Sequence, residues 1–153
     1  MLKLTKRADY GLIALRHLAV GGRRTATAKE IAEAYSIPLP ILAKVLQTLT
    51  RKGLLASEQG VNGGYRLARQ PNMISALEVI QSIDGPVLLT NCFTEHGHCD
   101  QSERCTVRQP LRKVHEGILS LLRNIRISDM SEEKAPDVPL REVAEWFGSR
   151  PSA

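Results

Sequence analysis

Over residues 5–20 apolar side chains return at Ala8, Leu12, Leu15 and Ala19, the three-to-four spacing of one helix face, and Gly21-Gly22 ends the pattern. Thr27 then stands three residues before Glu30, the spacing of a capping box, so a short helix through Ile31, Ala32 and Ala34 is expected to start there. Ser36-Ile37-Pro38 breaks it. Pro38 and Pro40 suit the entry and first turn of a third helix. That helix is predicted to turn Ile41, Leu42, Val45, Leu46 and Leu49 inward and Lys44, Gln47, Thr48 and Arg51 outward, with Gly53 as its stop.

A β-hairpin follows: Leu54-Leu55-Ala56-Ser57-Glu58, a tip of Gln59-Gly60-Val61-Asn62-Gly63-Gly64, then Tyr65-Arg66-Leu67. Glycine supplies the positive φ that a tight tip needs. No helix follows the glycines at once and no Lys-Ser/Thr pair accompanies them, so they form no phosphate-binding loop. After Pro71, Ser75 is predicted to cap a helix through Ala76, Val79, Ile80 and Ile83, closed by Asp84-Gly85-Pro86. Further on, Leu111, Val114, Ile118, Leu121, Leu122 and Ile125 recur three and four apart for about four turns, a narrow seam that needs a partner.

These elements predict a mainly α protein with one small β-hairpin. The expected order is a winged helix-turn-helix over 1–86, a loop over 87–106 and a dimerisation helix over 107–130. A C-terminal segment, 131–153, completes the chain: a polar linker over 131–137, a short amphipathic helix carrying Leu140, Val143, Ala144 and Phe147, and a frayed end. In a winged helix-turn-helix the third helix enters a major groove about 12 Å wide, and the hairpin reaches the neighbouring backbone or minor groove.

Composition is that of an ordinary folded domain: 153 residues, 42% hydrophobic and 24% charged. Apolar runs are only a few residues long, too short to span a membrane, and the N-terminal residues have no signal-peptide character, so a cytoplasmic location is expected. The formal charge is +5, with Lys3, Lys6, Arg7, Arg16, Arg23 and Arg24 early in the chain and Lys44, Arg51, Lys52, Arg66 and Arg69 after them. On a winged helix-turn-helix that surplus points to double-stranded DNA.

The three cysteines all lie in Cys92-Phe-Thr-Glu-His-Gly-His-Cys99-Asp-Gln-Ser-Glu-Arg-Cys105. In a reducing compartment an odd, clustered set suggests metal binding or redox activity more than a disulfide framework. Thiolates suit both zinc and iron–sulfur clusters. The spacing is too wide for the C-x-x-C of a zinc ribbon and suits a loop wrapped around a cluster. His96 and His98 lie within the loop as further candidate ligands. A metal-free disulfide switch, for example between Cys99 and Cys105, remains the alternative. A cysteine-dependent enzyme is not expected, since nothing supplies an oxyanion site or a shaped pocket.

Together these residues resemble the Rrf-two family of winged-helix regulators, typified by its IscR and NsrR branches. The resemblance covers about 2–130. It is carried by Leu4-Thr5-Lys6-Arg7-Ala8-Asp9-Tyr10, by Lys52-Gly53-Leu54-Leu55, by the wing Gly60-Val61-Asn62-Gly63-Gly64-Tyr65-Arg66-Leu67 and by the three cysteines. It implies a homodimeric transcription regulator, expected to repress, acting on a palindromic operator. An iron–sulfur cluster on Cys92, Cys99 and Cys105 would control its affinity.

The IscR branch has a histidine ligand three residues after the last cysteine. That position here is Arg108, whose guanidinium stays protonated and cannot ligate. Asp9 matches the aspartate by which the NsrR branch completes a 4Fe–4S cluster from the partner subunit, so 4Fe–4S is favoured over 2Fe–2S. Carried over by position, the base-reading end of the third helix is Pro38, Pro40, Ala43 and Lys44, and the wing-tip contact is Gln59. Lys6, Lys44, Gln47 and Arg51 are expected to hold the DNA backbone, contacts that position without specifying.

Overall fold

A computed structural model describes residues 3–20, 25–94 and 99–131. His96 and His98 lie outside them, as does the expected C-terminal helix with most of its linker. Five helices and one two-stranded hairpin make up the described chain, in the order α1 (Lys6–Val20), α2 (Ala28–Tyr35), α3 (Leu39–Arg51), β1 (Leu55–Glu58), β2 (Gly64–Leu67), α4 (Ala76–Asp84) and α5 (Arg108–Asn124). This is the expected winged-helix order with a long helix after it.

Local chemistry sets the helix starts. The Thr5 hydroxyl accepts from the Ala8 amide and donates to the Asp84 carboxylate at 2.8 Å, so the start of α1 is tied to the end of α4. Thr27 and Glu30 form the predicted capping box, each side chain taking a hydrogen bond from the other's backbone amide. Ser36 ends α2 in the left-handed conformation at φ 53°. Pro38 is the N-cap of α3 and Ser75 the N-cap of α4, where its hydroxyl accepts from the Glu78 amide.

Leu15, Ile31, Leu42, Val45, Leu46, Leu49, Leu54, Ile74 and Val79 are fully buried in one core. Helix α1 lies close against α4 because Gly11 faces Ile83: a Cβ at Gly11 would stand 2.3 Å from Ile83 Cδ1. Ile41 departs from its predicted inward place and is 42% exposed. Leu42, Val45, Leu46 and Leu49 already define the buried face, and Ile41 lies roughly 90° from its centre at about 100° per residue.

The hairpin pairs Leu55 with Leu67 and Glu58 with Gly64. A third segment joins it, since Ala26 and Tyr65 exchange both backbone hydrogen bonds, at 3.0 and 2.8 Å. The wing is thereby rooted beside the entry to α2. A Cβ on Gly64 would stand 2.6 Å from the Ala26 carbonyl oxygen, so this glycine serves a close backbone approach as well as its φ of 153°.

Helix α5 differs from the rest: none of its residues is buried. It ends at Asn124 rather than continuing through Ile125, because Ile125 turns extended and its carbonyl accepts from the Ala76 amide at 2.8 Å. The chain then returns to the core, with Ile127 fully buried and the Met130 carbonyl accepting from Arg16 Nε at 2.8 Å. No helix among the described residues is long and apolar enough to cross a membrane.

Candidate DNA interface and cysteine site

On α3, Pro40, Lys44, Gln47 and Arg51 recur three and four apart and are exposed, sharing the face opposite the core. Pro38 is exposed just ahead of them, whereas Ala43 is half-buried at the edge of that face. Between α3 and the hairpin runs an open groove of about 310 Å³ lined by Gln47, Thr50, Arg51, Ser57 and Tyr65. Gln59 is exposed at the hairpin tip, next to a fully exposed Val61, and Lys6 is exposed at the start of α1, a separate element. The structure thus brings Gln47 and Arg51 together with the wing around one concavity.

The basic surplus is less uniform than the sequence implies. Arg66 pairs with Glu58 at 2.6 Å across the hairpin, and Arg69 pairs with Glu78. Exposed pairs of this kind add little stability, but they cancel two of the charges counted toward DNA. Lys44 and Arg51 carry the positive character of the α3 face.

The cysteine segment begins with a short turn, Asn91–Phe93, held by the Phe93 and Thr94 amides on the Thr90 and Asn91 carbonyls. Tight turns through 99–104 follow, closed by hydrogen bonds from the Ser102 and Arg104 amides to the Cys99 and Gln101 carbonyls. Cys92, Cys99 and Cys105 are half-buried free thiols. With Ser102 and Arg108 they line one cavity of about 20 Å³, room for only one or two waters.

Cys92, Cys99 and Cys105, separated by six and five residues in the sequence, thus border one space. Phe93 stacks on His115 of α5 with ring centroids 5.0 Å apart, which fixes the segment against the long helix. Periodicity carried no sign of this contact, because His115 belongs to no motif and lies far along the chain.

Among the described residues no three His, Cys, Asp or Glu side chains gather closely enough to hold a single metal ion. A cluster makes a different demand, since each thiolate binds its own iron and the sulfurs stand further apart. Three free thiols around one space beside a guanidinium fit such a group better than they fit mononuclear zinc. Asp9 is half-buried in the first turn of α1 and does not line the thiol cavity of its own subunit.

Similarity to known proteins follows the same outline. Residues 4–133 match the model of the Rrf2 family, described as iron-dependent transcriptional regulators. Protein aau3 of Rhizobium meliloti (strain 1021) is 32% identical over 131 residues, covering 84% of each chain. Among solved structures, CymR, the global cysteine regulator of B. subtilis, superposes with a TM-score of 0.73 over 86% of this chain and 97% of its own; at 24% identity it shows the fold. IscR of T. potens is 26% identical, with a TM-score of 0.67 over 97% of this chain and 93% of its own. A five-helix winged fold, a basic α3 face and a family match over most of its length lead to one conclusion: the chain belongs to the Rrf2 family of transcriptional regulators, DNA-binding proteins and not enzymes.

Proposed function

We propose that this regulator binds its operator under the control of an iron–sulfur cluster held by Cys92, Cys99 and Cys105. The observation that carries the proposal is the convergence of three free thiols on one cavity at the start of α5. The iron dependence in the family's description and the 26% identical IscR of T. potens support it. The cavity is smaller than a cluster, so seating one requires the loop walls to separate. When bound, the cluster would supply a one-electron couple and a target for oxygen or nitric oxide. A 4Fe–4S form, with Asp9 of the partner subunit as fourth ligand, is favoured over 2Fe–2S, because Arg108 cannot ligate and Asp9 does not line its own subunit's cavity.

On the DNA side, Lys44, Gln47, Arg51 and Lys6 hold the phosphate backbone, Pro38, Pro40 and Ala43 make apolar contacts to base edges, and Gln59 reaches from the wing. Two subunits associate through α5, whose Leu111, Val114, Ile118, Leu121 and Leu122 are only half-buried within one subunit. A two-fold dimer then reads a palindromic operator. The protein is proposed to repress.

Anaerobic reconstitution with iron and sulfide, followed by absorption spectra and iron:sulfide analysis of wild type, Asp9→Ala and His98→Ala, tests the site. A coloured wild type with a defined iron:sulfide ratio is expected, with Asp9→Ala altered and His98→Ala unchanged. The same free, convergent thiols also favour a second reading, a metal-free switch in which a peroxide-class oxidant takes two electrons as a disulfide forms and two protons leave. A wild type that stays colourless while its operator affinity responds to peroxide would establish that switch instead.

A further inference from the structure

Among the described residues, the buried side-chain polar atoms without a hydrogen-bond partner are Thr90 Oγ1 and Arg108 Nε. They bracket the cysteine segment, one just before Cys92 and the other just after Cys105. Arg108 also lines the cavity shared by the three thiols. A buried guanidinium N–H without an acceptor is costly, and the cavity that Arg108 lines is shared with three thiols and Ser102. Arg108 is the first residue of the 17-residue helix α5, so the positive end of that helix's dipole lies at the same wall. Val107, the N-cap, contributes no side-chain hydrogen bond that would satisfy this end otherwise. Guanidinium and helix end together make one side of the cavity electropositive. Three thiolates carrying a cluster have a net negative charge, which is the complement such a wall requires.

We propose that Arg108 is a positioning residue of the cysteine site: its Nε–H donates to a thiolate or sulfide sulfur, and its charge stabilises the more negative, reduced form of the bound cluster. The proposal rests on the iron–sulfur reading above. It gives the arginine a task of its own at the place where relatives are expected to carry a ligand. Charge and hydrogen bonds to sulfur are among the factors that set cluster potentials, so the consequence is a raised midpoint potential.

The test compares reconstituted wild type, Arg108→Lys and Arg108→Gln by anaerobic dithionite titration, with circular dichroism of each apo-protein as a check of folding. Arg108→Gln is expected to disfavour one-electron reduction about tenfold, a fall in midpoint potential of about 59 mV, with Arg108→Lys between it and wild type. Loss of the cluster from Arg108→Gln alone, with unchanged circular dichroism and a cluster retained by Arg108→Lys, would equally support the role of the charge. Potentials within about twofold of wild type in both variants, or loss from both alike, would overturn it. A wild type that takes up no cluster refutes the iron–sulfur reading itself, an outcome distinct from unchanged potentials.

Discussion

Lys44 projects from the middle of the exposed α3 face with no acid beside it on that face, whereas Arg66 and Arg69 are each engaged by a glutamate. If Lys44 neutralises one phosphate, Lys44→Ala weakens binding to all sequences and lowers the slope of log K against log salt by about one. A slope measured by fluorescence anisotropy that stays at the wild-type value would remove Lys44 from the backbone contacts. Gly64 presents a different residue-level constraint. Any side chain there meets the Ala26 carbonyl and must adopt a backbone conformation that L residues avoid. Gly64→Ala should therefore destabilise the wing by roughly 1–3 kcal/mol, seen as a lower melting temperature and as faster amide exchange at Ala26 and Tyr65. The glycine-rich tip was legible in the sequence as a turn. Its contact with Ala26 was not, because that partner lies on a segment with no strand pattern of its own.

Elements divide by what they bury. Helix α3 has its core face fixed by Leu42, Val45, Leu46 and Leu49, all fully buried, so Leu42→Ala should cost about 2–5 kcal/mol. Ile41→Ala, at a 42% exposed position, should stay within roughly 0.5 kcal/mol; chemical denaturation of the two variants checks the contrast. A large loss at Ile41 would mean that the face was assigned wrongly. No residue of helix α5 is fully buried within the subunit, although Leu111, Val114, Ile118 and Leu121 recur three and four apart. Ile118→Glu should weaken self-association at least tenfold in sedimentation experiments while leaving helical content unchanged. Undiminished dimerisation would exclude this face. The helix was recognisable from its periodicity, but its end was not. Ile125 fits the seam by spacing and is drawn out of the helix by pairing with Ala76.

At the scale of the molecule, α5 joins the two proposed activities. Its first residue walls the thiol cavity, His115 stacks on the cysteine segment, and the residues after it return to the core through Ile127 and Met130. The thiol site is thus joined through α5 to the domain that carries α3 and the wing. Removing iron from the reconstituted protein with a chelator should change operator affinity, and the same treatment of Cys105→Ser should change nothing; equal responses would separate the cysteines from DNA binding. The fold class, the caps at Thr27 and Ser75 and the outward α3 face of Lys44, Gln47 and Arg51 were determined by sequence alone, because they depend on periodicities and hydrogen bonds within a few residues. Only the tertiary structure decided that Ala26 extends the wing, that two arginines are paired, that the thiols share one cavity and that Arg108 faces them with a buried, unpartnered N–H. Each of these brings together groups distant along the chain or turned by a loop without a repeat, and only packing can specify such distances.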